Sequence, residues 1–308
     1  MLEESYPLLT SFLKSLNKII EEDDKTICVK IFTNWCSTEE ITSLWNKMRP
    51  ETTTLTLVTE EPVDYYVIIN SPPQNAVYNK KKTIVFQMEP FMDRHNKWGE
   101  WSNPDKKEFY KVLRHVDGEY NNNEWHLSKT YLQLSNEPIV KTENILSTVL
   151  SSKYTDIGHT KRIDFVKFLE KKGMPIHVFG DNKWKYKDYK GSLPYHCKDN
   201  AILPYKYTFN AENNAIPNYY TEKLIDGILG ECLTFYWGCP NVRKYIDNRA
   251  YVQLELSNFE KDYETIMRAI EEDLYTQRLP FIKEAKKKIL NELQFFPRLE
   301  SIIKSKTL

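Results

Sequence analysis

Four charged side chains stand where the pattern of this chain favours chemistry: Glu89, Arg162, Glu222 and Lys223. Glu222 and Lys223 close the run Tyr219-Tyr220-Thr221-Glu222-Lys223. Leu224, Ile225, Ile228 and Leu229 then follow at helical spacing, up to Gly230. Ahead of the run lie an aromatic strand over 205–209 and a polar loop with Glu212, Asn213, Asn214 and Pro217. Behind it, an apolar run over 233–237 stops at Gly238 and Pro240. The stretch reads as a βαβ unit with its polar loop at the carboxyl end of the first strand. Open α/β sheets bind ligands there, and phosphates favour the helix N-terminus. Glu89 directly follows an apolar strand and precedes Pro90, a position that can face a cleft; pairing with a nearby Lys or Arg is the plain alternative. Arg162, in Thr160-Lys161-Arg162, opens a helical pattern as either a solvated face residue or a fixed cation, with Lys161 its rival.

The elements that position these residues alternate between strand and helix. Residues 26–33, 53–59, 63–70 and 83–88 read as strands, and Ser37 with Glu40 forms a capping box for a helix over 38–48. A second set begins beyond the polar stretch 136–144, with a strand over 145–150, a helix over 160–172 ended by Gly173, and a strand over 176–179. Residues 251–256 and 259–271 read as a closing strand and helix, and 281–304 as one Lys-rich amphipathic helix. This order predicts an α/β protein of two Rossmann-like domains facing a cleft, one over 1–135 and one over 136–280, with 281–308 packing back across them. Residues 106–115 are expected to be helical, and 183–190 a solvated loop. Within 91–125, Phe91, Trp98, Trp101 and Trp125 mix with Arg94, His95 and Asn121-Asn122-Asn123, which suits a sugar-stacking platform or an ordinary irregular surface.

Lys+Arg and Asp+Glu are 43 each, so no global basic field argues for nucleic acid. The five cysteines are odd in number and lack paired zinc spacing, which favours buried free thiols and a reducing compartment. Residues 1–24 form an amphipathic pattern rather than a signal peptide or membrane span, expected to pack on the protein's own domain. The histidines are scattered and Asp-x-Asp does not occur, so no metal centre is expected.

The 205–241 segment resembles the signature of the α1,3/α1,4-fucosyltransferases, glycosyltransferase family 10. That signature is a strand ending in Phe-Glu-Asn, a loop, Tyr-x-Thr-Glu-Lys, a helix, and a strand of the type Val-Pro-Val-x-x-Gly. Here Glu212-Asn213 and Tyr219-x-Thr221-Glu222-Lys223 lie ten residues apart, glutamate to glutamate, as in the family. The chain departs from it at Ala211, Asn214 and Leu233-Thr234-Phe235. Family members also carry a glutamate before a proline near the end of an N-terminal strand; Glu89-Pro90 resembles this without the intervening serine.

The resemblance implies a GT-B type fold, with 1–135 as the acceptor-side domain and 136–280 as the nucleotide-sugar donor domain, and an inverting transfer of fucose from GDP-fucose to a glycan hydroxyl. It implies Glu89 as catalytic base, taking the proton of the acceptor hydroxyl. Arg162 and Lys223 would hold the departing diphosphate, Glu222 the ribose hydroxyls, and Tyr219 and Asn213 would orient phosphates or sugar. One base without a protein nucleophile implies single displacement through an oxocarbenium-like state. No cofactor or metal is required, a divalent cation at most stimulating, and the partners are a nucleotide-sugar donor and an oligosaccharide or glycoconjugate acceptor. Lacking the Golgi anchor of animal relatives, the chain is expected to be soluble and cytoplasmic. A related enzyme using another nucleotide sugar, or a catalytically inactive glycan binder, are the alternatives.

Overall fold

Every residue of Thr83–Gln87 (β4) is buried, as befits a strand covered on both faces of a parallel sheet. It lies in a five-stranded sheet of order β2-β1-β3-β4-β5, all parallel, with β1 Ile27–Thr33, β2 Leu55–Leu57, β3 Tyr65–Ile69 and β5 Lys111–Arg114. The structure is a computed structural model that describes residues 26–90, 96–122 and 124–305. The expected helix over 1–24, and Phe91, Arg94, His95 and Asn123 of the aromatic–amide mixture, lie outside the described residues. Helix α1, Thr38–Asn46, follows β1 and carries the expected capping box: Glu40 N–H donates to Ser37 Oγ at 3.2 Å, and Ser37 N–H to Glu40 Oε2 at 2.9 Å. The helix expected over 106–115 is instead the strand β5, with Val112 paired to Val85, because its apolar pair Val112 and Leu113 completes the sheet and is buried there.

The second sheet is also parallel, in the order β11-β10-β9-β6-β7-β8. Its strands are β6 Glu143–Leu150, β7 Ile176–Gly180, β8 Tyr189–Gly191, β9 Tyr205–Ala211, β10 Leu233–Trp237 and β11 Tyr251–Gln253. Residues 183–190 thus form the expected loop only as far as the edge strand β8. Phe209 and Phe235 pair in register across β9 and β10 and are fully buried, each stabilising the core by about 1.5–3 kcal/mol. The connecting helices are α2 Tyr131–Asn136, α3 Ile157–Lys171, α4 Asp199–Ile202, α5 Glu222–Leu229 and α6 Phe259–Glu271.

The tail is two helices rather than one. Helix α7, Leu274–Lys288, runs on through a π-helical segment, Ile289–Leu293, and stops at Gln294, whose extended backbone starts α8, Phe295–Lys304. The break lets each part serve a different sheet. Lys286 on α7 pairs with Glu231, just before β10, at 2.8 Å. On α8, the Phe295 ring lies 4.7 Å from Trp45 of α1 and 6.3 Å from Phe86 of β4. Both sheets turn strand carboxyl ends toward a shared cleft, where Glu89 follows β4 and Asn213 follows β9. Among the described residues, no helix is long and apolar enough to cross a membrane.

Candidate active site

Strand β9 delivers Glu212 to the interior, where none of its surface is exposed. Its Oε1 accepts the Thr221 N–H at 2.7 Å and the Tyr236 hydroxyl at 3.1 Å, while Oε2 accepts the Thr221 hydroxyl at 2.7 Å. Burial raises the Glu212 carboxyl pKa, and Lys223, 3.9 Å away, draws it back. This bridge closes the 212–221 loop and fixes Asn213, Tyr219, Glu222 and Lys223 around the start of α5. Thr221 caps that helix, its hydroxyl accepting the Lys223 N–H at 3.3 Å.

The loop is also held from α3. Gly158 N–H donates to Asn213 O at 2.9 Å, and a Cβ at Gly158 would sit 1.8 Å from the Glu212 carbonyl oxygen. Only glycine permits that approach. One turn on, Arg162 donates through Nη1 to Ala211 O and Asn213 Oδ1, each at 3.2 Å, and through Nη2 to Ser151 Oγ at 3.1 Å. Helix α3 begins at Ile157 rather than at 160, so Arg162 sits in its second turn, and the side chain is buried rather than solvated. Among the described residues the guanidinium makes no ion pair and its Nε has no hydrogen-bond partner. Burial draws its pKa down, against the more distant pull of Glu212 and Glu222. Lys161 turns away: its ammonium donates to Leu256 O and lies 5.8 Å from the Trp237 ring centroid.

Glu222 pairs with Lys223 at 3.0 Å and with Lys198 at 3.4 Å. Burial alone would raise the Glu222 carboxyl, but these two ammonium groups outweigh it and hold the pKa well below the usual carboxylate range. Lys198 also pairs with the buried Asp226 at 2.8 Å; burial would depress its ammonium, yet Asp226 and Glu222 raise it. Tyr219 is buried, and its phenol is pushed well above the ordinary value by that burial and by the carboxylates of Glu212 and Glu89. It therefore remains a neutral donor.

Across the cleft, fully buried Asn70 positions the chain after β4. Its Oδ1 accepts the backbone N–H groups of Met88 at 2.8 Å and Glu89 at 3.1 Å. Glu89, Asn213, Tyr219, Glu222 and Lys223 line one cavity of ≈ 570 Å³. Arg162 lines an adjoining cavity of ≈ 500 Å³ that shares Asn213, Glu222 and Lys223 with the first. All six sequence-derived residues thus converge on the cleft, although the Asn213 amide oxygen is engaged by Arg162 and the Glu222 carboxylate by two lysines.

Lys153, His159 and Lys198 also line the second cavity and were not singled out from the sequence. The turn after β6, at the carboxyl edge of a parallel sheet, was the available signal for Lys153; for Lys198 there was none. The histidines are not all scattered: the His126 and His196 rings lie 3.8 Å apart. All five cysteines are free, with Cys232 and Cys239 buried and the other three partly so.

Residues 140–278 match the family described as glycosyltransferase family 10 (fucosyltransferase), C-terminal. No curated protein matches the chain. Among solved structures, the chain is similar to an alpha1,3-fucosyltransferase with GDP, at 18% identity, covering 91% of each chain with a TM-score of 0.53. It is also similar to an alpha-glucosyltransferase in complex with UDP and a 13-mer DNA, at 12% identity, covering 92% of this chain and 98% of that one with a TM-score of 0.57. A glycosyltransferase from Rickettsia africae ESF-5 aligns at 12% identity over 92% of this chain and 97% of its own, with a TM-score of 0.51. At these identities the likeness carries the fold alone, two parallel-sheet domains about a cleft. Joined to the family match over the domain that holds Arg162, Glu222 and Lys223, it gives the chain a GT-B fold in which residues 140–278 form a domain of the glycosyltransferase family 10 (fucosyltransferase) type.

Proposed function

We propose that the chain transfers fucose from GDP-fucose to a hydroxyl of a glycan acceptor, with inversion at the anomeric carbon. The observation that carries this reading is Arg162, a buried guanidinium with no ion pair among the described residues, lining a cavity with Lys223. A buried unpaired cation is costly, and a diphosphate arriving from the cleft offsets that cost. Arg162 and Lys223 then stabilise the negative charge that grows on the leaving group. Glu222, kept ionised by its two lysines, accepts from ribose hydroxyls, and Asn213 and Tyr219 orient phosphates or sugar. Glu89, on the opposite wall, takes the proton of the acceptor hydroxyl as it attacks. With two fixed cations in place, no metal is required at the diphosphate, and a divalent cation at most stimulates. The family match and a relative solved with GDP support the choice of donor.

A second reading, the same reaction with a UDP-sugar, is favoured by the UDP-bound alpha-glucosyltransferase and its higher TM-score of 0.57. Thermal-shift measurements against a nucleotide panel separate the two: GDP and GDP-fucose should raise Tm, whereas a response to UDP-sugars alone would overturn the first. Glu89→Gln should lower transfer by orders of magnitude while GDP binding persists. Unchanged transfer would place the base elsewhere, and no transfer by the native chain with any donor and glycan would leave a binding protein.

A further inference from the structure

The wall of the cleft contains three metal-ligand groups that the transfer reaction does not use. Glu124, His126 and His196 each offer one ligand atom, and these atoms lie within 4.8 Å of one another. The His126 Nε2 and Glu124 Oε1 atoms are 3.3 Å apart, close to the roughly 3.3 Å ligand-to-ligand edge of a tetrahedral site with zinc–ligand distances near 2.0 Å. The other carboxylate oxygen is already oriented, since Trp45 Nε1 donates to Glu124 Oε2 at 2.9 Å. An outer partner of this kind aims a ligating carboxylate.

The two histidines are separated by seventy positions, yet their backbones are tied together. Lys198 N–H donates to His126 O at 2.8 Å, and His126 N–H donates to Asp226 Oδ1 at 2.7 Å. His126 Nε2 is buried with Glu124 Oε1 as its neighbour at 3.3 Å, and His196 Nδ1 is buried and makes no hydrogen bond among the described residues. Buried imidazole nitrogens ordinarily find a partner.

We propose that Glu124, His126 and His196 bind one divalent transition-metal ion of the zinc class. Two imidazoles and a carboxylate, with a fourth position open to the cleft, match the borderline-soft donor set such ions take. Glu124 is tied to α1 of the first domain through Trp45, whereas His196 belongs to the β8–α4 connection of the second. A bound ion therefore fastens the two domains at the side of the cleft. This role is separate from holding the diphosphate.

The test uses the full chain, stripped with a chelator and titrated with zinc chloride alone. One zinc per chain should bind in the micromolar range or tighter, and Tm should rise on binding. His126→Gln and His196→Asn should each weaken zinc binding by roughly tenfold or more, with the circular dichroism spectrum and GDP response retained. Asn is chosen at position 196 because His196 has φ 51, which Asn tolerates. Should either variant misfold, Glu124→Gln, which keeps the side-chain shape, replaces it. Cobalt(II) should give visible d–d bands without a thiolate charge-transfer band, separating this site from the cysteines. Absence of saturable one-to-one zinc binding, equal zinc affinity in the histidine variants, or a thiolate band would each overturn the proposal.

Discussion

Glu212 holds Thr221 by two hydrogen bonds, each of 2.7 Å, one to the backbone N–H and one to the hydroxyl. The pair joins the end of β9 to the cap of α5, so the intervening loop has little freedom. Glu212→Gln turns one acceptor oxygen into a donor facing a hydroxyl and an N–H. Urea unfolding should show a loss of about 1–3 kcal/mol, and GDP affinity should fall in parallel as Glu222 and Lys223 lose their fixed placement. Native stability and affinity in the variant would show that the bridge does not set the site.

Asn70 does for the opposite wall what Glu212 does for this one. Its Oδ1 receives the N–H groups of Met88 and Glu89, and its backbone has φ 62. Asn70→Gly keeps that backbone accessible while removing the acceptor. The turnover of the glycan acceptor should drop roughly ten- to a hundred-fold, as expected for a misplaced reacting group, while the Kd for GDP stays at the native value. A loss of GDP binding instead would assign Asn70 a purely structural part.

Gly158 marks the contact between α3 and the 212–213 backbone. A methyl group there would stand 1.8 Å from Glu212 O, and backbone on both sides leaves no flexible atom to move aside. Gly158→Ala should therefore cost roughly 1–3 kcal/mol or more through overpacking, even though alanine is the better helix former. Chemical denaturation gives the answer directly; a neutral or stabilising result would mean that the helix start can shift.

His159 sets a pH dependence of stability. Burial first, then the Arg162 guanidinium, push its pKa from the ordinary 6.5 down to about 4. Its Nδ1 accepts the Asp156 N–H at 3.2 Å, a bond that only the unprotonated nitrogen can make. The unfolded chain therefore binds a proton that the folded chain refuses between pH 6.5 and about 4. The contribution is complete above pH 6.5 and is lost as pH falls through that window, an effect of about 1–3 kcal/mol. His159→Gln keeps an acceptor for Asp156 N–H without a titrating ring, and should flatten the fall in Tm between pH 7 and 4.5. An unchanged slope would place the acid sensitivity in other groups.

Much of the architecture was legible because parallel strands buried on both faces carry unbroken apolar runs. The 205–241 stretch could be read as strand, loop, helix and strand because its breaks, Pro217, Gly230 and Gly238, are chemically explicit. The capping box at Ser37 and Glu40 is local for the same reason. Residues 106–115 misled because Val112 and Leu113 fit a helix face as well as a strand, and only the free edge of β4 selects the strand. The single helix expected over 281–304 breaks at Gln294, where Pro297 is the local mark: it has no N–H to continue the earlier helix but is tolerated in the first turn of α8. Packing of Phe295 against Trp45 then draws the chain onto the first sheet.

The sequence by itself determined which residues carry charge at strand ends and helix starts, since that depends on periodicity and neighbouring residues alone. It could not determine that Arg162 is buried beside Asn213 while Lys161 turns to Leu256 and Trp237, because adjacent helix positions point about 100° apart and only the packed sheet selects which one meets the 212–213 loop. Nor could it bring His126 to His196, or Glu89 to face Tyr219. Those are contacts between distant segments, and they exist only once two sheets close on a common cleft.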